Sequence, residues 1–242
     1  MTRSERKRVS LERRAEIGQE KRARTRTQIL STAYSLVGRK DGHLTRIDEI
    51  CASARISRGT FYNYFSSINV LFDALAYEIS HDVNVRVREL LSLMPPGAFR
   101  VSAAARLYLH QVRIDLPWGR AMVNLTGTGP QFGLDSLQHV IHAITEGIER
   151  GEFQIPNVEV GCDLVMGTVL SAMMSMVRAP FRDDYPEMIV RQILIGLGVR
   201  AHLIEDCISS ELPSIQVVTG ARIALFPIGA PGLGMQVNAD GP

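Results

Sequence analysis

A chain of 242 residues, 45% hydrophobic and 6% aromatic, buries a sizeable core as one large or two smaller domains and reads as a soluble globular protein. Its three cysteines, Cys51, Cys162 and Cys207, are odd in number and lack Cys-x-x-Cys spacing, which argues against a disulfide framework or a zinc site and makes them small apolar residues. No apolar run reaches the roughly 18–20 residues of a membrane span, and the start is charged where a secretory signal is apolar, so a cytoplasmic protein without a membrane partner is expected.

The formal charge of +2 is unevenly spread: residues 1–26 hold ten basic and four acidic side chains, a local +6 that leaves −4 for the rest. A basic block ahead of an acidic body is the footprint of a phosphate-backbone partner, or of a solvated tail. From Gln19 to Arg39 the apolar Ile29, Leu30, Ala33, Tyr34 and Val37 recur at three- and four-residue steps, the mark of an amphipathic helix whose basic half, with Arg22, Arg24 and Arg26, projects from its packed half. Asp41-Gly42 ends it. Thr45 stands as N-cap of a short helix from Arg46, with Asp48 as a weaker capping-box partner. Ser57 is the next N-cap, opening a second short helix through Phe65. Two short helices about a four-residue turn form a helix-turn-helix.

Beyond Ser66-Ser67 a helical stripe from Val70 to Leu91 runs until Pro95-Pro96 stops it. Helices follow at about 98–115, 117–126 and 132–150, with breaks at Leu116-Pro117, at Gly127-Thr128-Gly129-Pro130 and at Gly151 to Pro156. Residues 159–179 and 185–206 read as two long, mostly apolar helices about the turn Ala179–Asp184. Alternating strand patterns are absent from this body, so the fold class is all-α. After about Glu211, the runs Ile215–Val218 and Ile223–Phe226 allow short strands, but Pro227, Pro231 and five glycines after residue 219 favour a poorly ordered tail.

A helix-turn-helix sets side chains from the start of its second helix on base edges while neighbouring donors hold phosphates. Arg58 can fork onto a guanine, Thr60 can meet a thymine methyl and Asn63 can offer its amide to adenine. Tyr62, Tyr64 and Ser57 carry hydroxyls for phosphates, and Gly59 permits close approach of backbone and DNA. Ile47, Ile50, Ala54, Ile56, Phe61 and Phe65 fill the small core.

The run from Thr45 to Phe65, Thr-Arg-Ile-Asp-Glu-Ile-Cys-Ala-Ser-Ala-Arg-Ile-Ser-Arg-Gly-Thr-Phe-Tyr-Asn-Tyr-Phe, resembles the DNA-binding signature of TetR-type repressors. In that family a capping threonine leads to an Ile-Ala pair, then Ala-Gly-Val-Ser, a Gly-Thr and a Tyr-x-His/Tyr-Phe. The likeness covers about residues 20–75. Three positions depart from it: Arg55 stands for a turn glycine and must accept positive φ at a cost of about 1 kcal/mol, Ile68 for a phosphate-binding lysine, and Cys51 for an alanine.

The resemblance implies a homodimer on double-stranded operator DNA, and most simply a repressor released by a small-molecule effector. It divides the chain into a basic flexible arm (1–19), a DNA-binding domain (20–72), a helical effector-binding and dimerisation domain (73–208) and a tail (209–242). The DNA contacts would be Thr45, Arg46, Ser57, Arg58, Gly59, Thr60, Tyr62, Asn63 and Tyr64, with Arg22, Arg24 and Arg26. The dimer would form through 159–179 and 185–206, where Gly161, Gly167, Ser171, Ala172, Ser175, Gly196 and Gly198 permit close approach and Leu164, Val165, Met188, Ile189, Ile193 and Leu197 supply apolar contact. Tyr108, Trp118, Met122, Phe132, Met173 and Met174 would line an adaptable apolar pocket for an effector, or simply pack the core. Asp135, His139 and His142 share a helical spacing, but without a visible fourth ligand they make a weak metal site. No GxSxG, HExxH, Walker loop or GxGxxG points to an enzyme or a cofactor. A helical protein that binds DNA without sequence preference would share the basic arm.

Overall fold

The computed structural model describes residues 3–126 and 133–212, and among these it is helical throughout, with no strand. The glycine-proline break at 127–130, Phe132 and the tail beyond Leu212 lie outside the described residues.

Helix α1 (Arg3–Val37) begins well ahead of the apolar period. The segment expected to be a flexible arm thus continues the helix. Its residues are Arg-, Lys- and Glu-rich, good helix formers with no proline, and a Cβ at Gly18 would touch nothing within 4 Å. Arg13, Arg14 and residues 16–24 are exposed, which is why a search for apolar periodicity passes them by. The packed half buries Ile29, Leu30, Ala33, Leu36 and Val37. A 3-10 turn at Gly42–Leu44 reverses the chain, and there Gly42 is required, since a Cβ would lie 2.0 Å from the Val37 carbonyl oxygen.

Helix α4 (Ile68–Ser92) starts on the Ser67 side chain, whose Oγ accepts the Val70 N–H at 3.2 Å. Its stripe buries Leu71, Leu75, Ile79, Val83 and Val87, although Val70 itself is exposed. Helix α5 (Ala98–Ile114) follows the proline pair. Gly97 precedes it at φ +76°, and the Glu152 carboxylate accepts the Ala98 N–H at 2.8 Å, placing an anion where the helix's free N–H groups and dipole favour one. Helix α6 (Leu116–Leu125) is capped by Asp115, which accepts the Trp118 N–H at 2.9 Å. Helix α7 (Gly133–Glu149) ends at Gly151, φ +67°.

Helix α8 (Val158–Arg178) is capped by Asn157 and packs against α5, α6, α7 and the following α9 (Tyr185–Gly196). By length and composition α8 could cross a membrane, contrary to the sequence reading. The helices packed around it bury 44% of that apolar stretch. The second long helix expected at 185–206 is two: α9 stops, and α10 (Ala201–Ser209) begins anew. Gly198 takes φ +76°, and the Gln154 N–H donates to the Leu197 carbonyl at 2.8 Å, so the chain after α7 crosses and seals the end of α9. A Cβ at Gly198 would lie 2.7 Å from that of Gln154. This glycine, expected to permit close approach of helices, serves a helix terminus.

All three cysteines are free and buried. Burial pushes the Cys207 thiol up to about 12, so it acts as a small apolar group.

Candidate DNA interface and effector cavity

Helices α2 (Ile47–Ala54) and α3 (Arg58–Tyr62) make the helix-turn-helix. The N-cap of α2 is Arg46, not Thr45: the preceding 3-10 turn uses the Thr45 N–H as a donor to the Gly42 carbonyl, and Thr45 is only 7% exposed. Thr45 therefore does not face outward as a DNA contact would, whereas Arg46 does. The turn rests on Arg55 at φ +53°, the left-handed conformation its non-glycine side chain resists. Gln28 of α1 secures the end of α2, its Nε2 donating to the Ala54 carbonyl at 2.8 Å.

Helix α3 is shorter than expected and closes at Asn63. Ser57 is its N-cap, Oγ accepting the Thr60 N–H at 3.0 Å and lying 2.9 Å from the Thr60 hydroxyl. Phe61 and Phe65 are buried, which turns Tyr62 outward, 53% exposed, with Asn63 and Gly59 also exposed. Arg58 is exposed but engaged: its Nε and Nη2 form a two-point ion pair with Asp48 of α2. The Arg58 guanidinium holds the Asp48 carboxyl below the usual carboxylate range. A base or phosphate must therefore compete with Asp48 for Arg58.

The basic residues of α1 do not act alike. Lys21, Arg22 and Thr25 line one wall of an open groove whose other wall is Thr60, Asn63 and Tyr64, and Arg22 lies over the Tyr64 ring at 5.9 Å. Arg24 is exposed. Arg26, assigned to DNA by the sequence reading, instead pairs with Glu78 of α4 at 3.2 Å and covers the Phe65 ring at 5.7 Å. It ties α1 to α4 across the small core.

A second feature lies in the body. Helices α4, α5, α7 and α8 surround a cavity of about 50 Å³, walled mainly by valine, alanine and other apolar side chains, with Met166, Tyr108, Ser136, His139 and Arg100 among its lining. Of the six residues expected to line a pocket, Tyr108 does. Trp118, Met122 and Met173 are fully buried core and Met174 is half-buried elsewhere on α8. Trp118 stands one layer behind, its ring 6.5 Å from that of Tyr108 and its Nε1 donating to the Ile79 carbonyl at 2.9 Å. The wall residues Val87, Ser136 and Met166 were not singled out, because they converge from separate helices only on folding. His139 joins this wall, whereas His142 is exposed and pairs with Glu146 at 3.3 Å. Among the described residues no His, Cys, Asp and Glu group could hold a metal.

Cavity and interface are joined. Helix α4 carries Leu71 and Leu75 in the core near α1 and Val87 and Leu91 in the cavity wall. From α6, the Asn124 amide donates to the Val37 carbonyl at 2.8 Å and the Arg39 carbonyl at 3.1 Å, gripping the end of α1.

Residues 29–75 match the sequence profile described as bacterial regulatory proteins, tetR family. A comparison with curated proteins returns no match. Among solved structures, RolR in complex with resorcinol aligns at TM-score 0.67 and 24% identity, over 81% of this chain and 98% of that one. FadR from Bacillus subtilis in complex with stearoyl-CoA aligns at 0.56 and 17%, over 70% and 96%. A TetR-family regulator from Syntrophomonas wolfei aligns at 0.58 and 20%, over 72% and 96%. At these identities the likeness is one of fold.

Proposed function

We propose that this chain, whose residues 29–75 match the profile of the tetR family of bacterial regulatory proteins, is a sequence-specific transcription regulator of that kind: a dimeric repressor that leaves its operator when a compact effector fills the cavity of its body. The observation that carries the reading is the α3 surface. A Ser57-capped helix turns Thr60, Tyr62 and Asn63 outward beside a groove whose far wall holds Lys21 and Arg22, which sets base-reading and phosphate-holding groups side by side.

Dimerisation is supported by the outer face of α8 and α9. Val160, Met188 and Ile195 are exposed at 45%, 49% and 52%, and Gly167, Ser171 and Ser175 form an exposed small-residue line, with nothing within 4 Å of a Cβ at Gly167. Gly161, Ala172, Val165, Ile193 and Leu197 are instead buried within the chain. A two-fold pair doubles the few base pairs one α3 can read. Effector response is supported by a cavity whose wall is α4, and by RolR and FadR, proteins of this fold seen with resorcinol and stearoyl-CoA. A ligand that spreads the wall must move Val87 and Leu91, and with them the helix that packs on the DNA-binding core. It shifts the population only by binding the displaced state better.

The test is Thr60→Ala and Tyr62→Ala. Each should weaken operator binding by about 1–3 kcal/mol, while the helical circular dichroism and the dimer mass stay unchanged. Parental affinity at the same salt would remove that residue from the interface.

A further inference from the structure

Asp48, in the first turn of α2, and Arg58, the first residue of α3, meet across the helix-turn-helix. Their side chains are 63% and 67% exposed, so the pair lies on the outer surface and not in the small core. Only one edge of the guanidinium makes the contact: Nε and Nη2 donate to the two oxygens of the Asp48 carboxylate. An arginine carries five N–H donors in a fixed planar fork. Two are taken here, which leaves both on Nη1 and one on Nη2. Among the described residues Arg58 makes no further hydrogen bond. Competition with Asp48 is therefore for the Nε edge alone, and the Nη1–Nη2 edge keeps two parallel donors unused.

The chemistry of that unused edge selects its partner. In the major groove guanine sets two acceptors, O6 and N7, side by side, whereas adenine places a donor beside its N7, cytosine presents a donor and thymine a methyl group beside its one acceptor. A phosphate also offers paired oxygens, but charge decides against it. Asp48 and Arg58 together are neutral, so the pair releases little counterion from the DNA backbone. The other acidic side chain in that turn, Glu49, is matched in the same way by Arg39 at 3.2 Å, so α2 holds its carboxylates against arginines beside the DNA. A lone arginine pays rotamer entropy when it docks on a base. A two-point contact with a carboxylate fixes the plane of the guanidinium beforehand.

We infer that Asp48 is a positioning residue for sequence recognition: it holds Arg58 so that the Nη1–Nη2 edge reads O6 and N7 of one guanine in each half-site. This inference rests on the reading that α3 enters the major groove. It gives an acidic side chain on a DNA-binding surface a part in discrimination, at the expense of general affinity for phosphates.

The test uses the full chain and the duplex it enriches from a randomised library, with each of the four base pairs placed in turn at every position and compared by competition binding. Arg58→Ala should erase a guanine preference at one position per half-site and so identify it. Asp48→Ala should cut discrimination against adenine at that same position at least about tenfold. It should also tighten binding to random DNA and steepen the slope of log affinity against log salt by about 0.9 per protomer, as the released Arg58 turns to a phosphate. Asp48→Asn, which keeps an acceptor oxygen without the charge, should fall between the parent and Asp48→Ala. In the Arg58→Ala background, Asp48→Ala should leave base preferences unmoved. Both side chains are exposed, so the helical circular dichroism should match the parent in every variant. A guanine preference that survives Arg58→Ala gives the base to another side chain and overturns the inference. Unchanged base preferences in Asp48→Ala, with enriched and random DNA bound tighter by one common factor, make Asp48 a source of repulsion only and overturn it too. If a common site is enriched but none of its guanines depends on Arg58, sequence reading stands and this inference fails; if no common site is enriched, both fail.

Discussion

Removing Arg22 and removing Arg26, four residues apart on one basic helix, should have opposite consequences. Arg26 pairs at 3.2 Å with Glu78 Oε1, the Glu78 side chain is only 13% exposed and its Oε2 has no hydrogen-bond partner among the described residues, and the Arg26 guanidinium covers Phe65. Arg26→Ala strands a largely buried carboxylate, at about 1–3 kcal/mol, and loses a cation–π contact of about 0.5–1 kcal/mol. A combined loss of about 1.5–4 kcal/mol lowers the melting temperature of a domain this size by roughly 3–16 °C, while the dependence of operator affinity on salt barely changes. Arg22 lines the groove beside α3; Arg22→Ala should leave the melting temperature within about 2 °C, since an exposed cation–π contact is small, and flatten the slope of log affinity against log salt by about 0.9 per protomer. Differential scanning calorimetry and fluorescence anisotropy across a salt series measure both. The reasoning is refuted if Arg26→Ala melts like the parent and flattens the salt slope as Arg22→Ala does.

Arg55→Gly relieves a left-handed non-glycine residue worth about 1–2 kcal/mol, partly offset by the glycine's greater unfolded freedom, so thermal melting should rise by a few degrees; a fall would mean that the Arg55 side chain contributes more than its backbone costs. Ser171→Arg places a long charged side chain in the middle of the small-residue line on α8 and should convert dimer to monomer in light scattering, with helicity retained; an intact dimer would move the interface elsewhere. Deleting residues 1–19 should weaken operator and random DNA binding by similar factors and flatten the salt slope, whereas an unchanged slope would assign those residues no phosphate contact.

Much of the helical layout was legible because apolar side chains at three- and four-residue steps report burial directly: α4, α5, α6, α7 and α8 lie within a few residues of where the stripes put them. The Ser57 cap and the positive φ of Arg55 were readable for the same local reason. What failed was whatever depends on contact between distant segments. Gly198 looked like a small interface residue, yet it is the crossing of Gln154 that ends α9 there. Thr45 looked like a cap because its spacing from Asp48 suits one; the 3-10 turn at Gly42 moves the cap to Arg46. Arg26 could not be told from Arg22 without α4 in place. The cavity was least legible, since its lining comes from four separate helices, α4, α5, α7 and α8, and no pattern in the chain brings those residues together.

The central claim, that this protein reads a DNA sequence through a pair of α3 helices, is tested most directly by selecting bound duplexes from a randomised library and measuring affinity for the enriched site against random DNA at physiological salt. The account predicts a near-palindromic site, two protomers bound, and a preference of at least about 10³-fold over random DNA. A library that yields no common site, with equal affinity for every duplex and a steep salt dependence throughout, would contradict it and leave a helical protein that holds DNA by its phosphates alone.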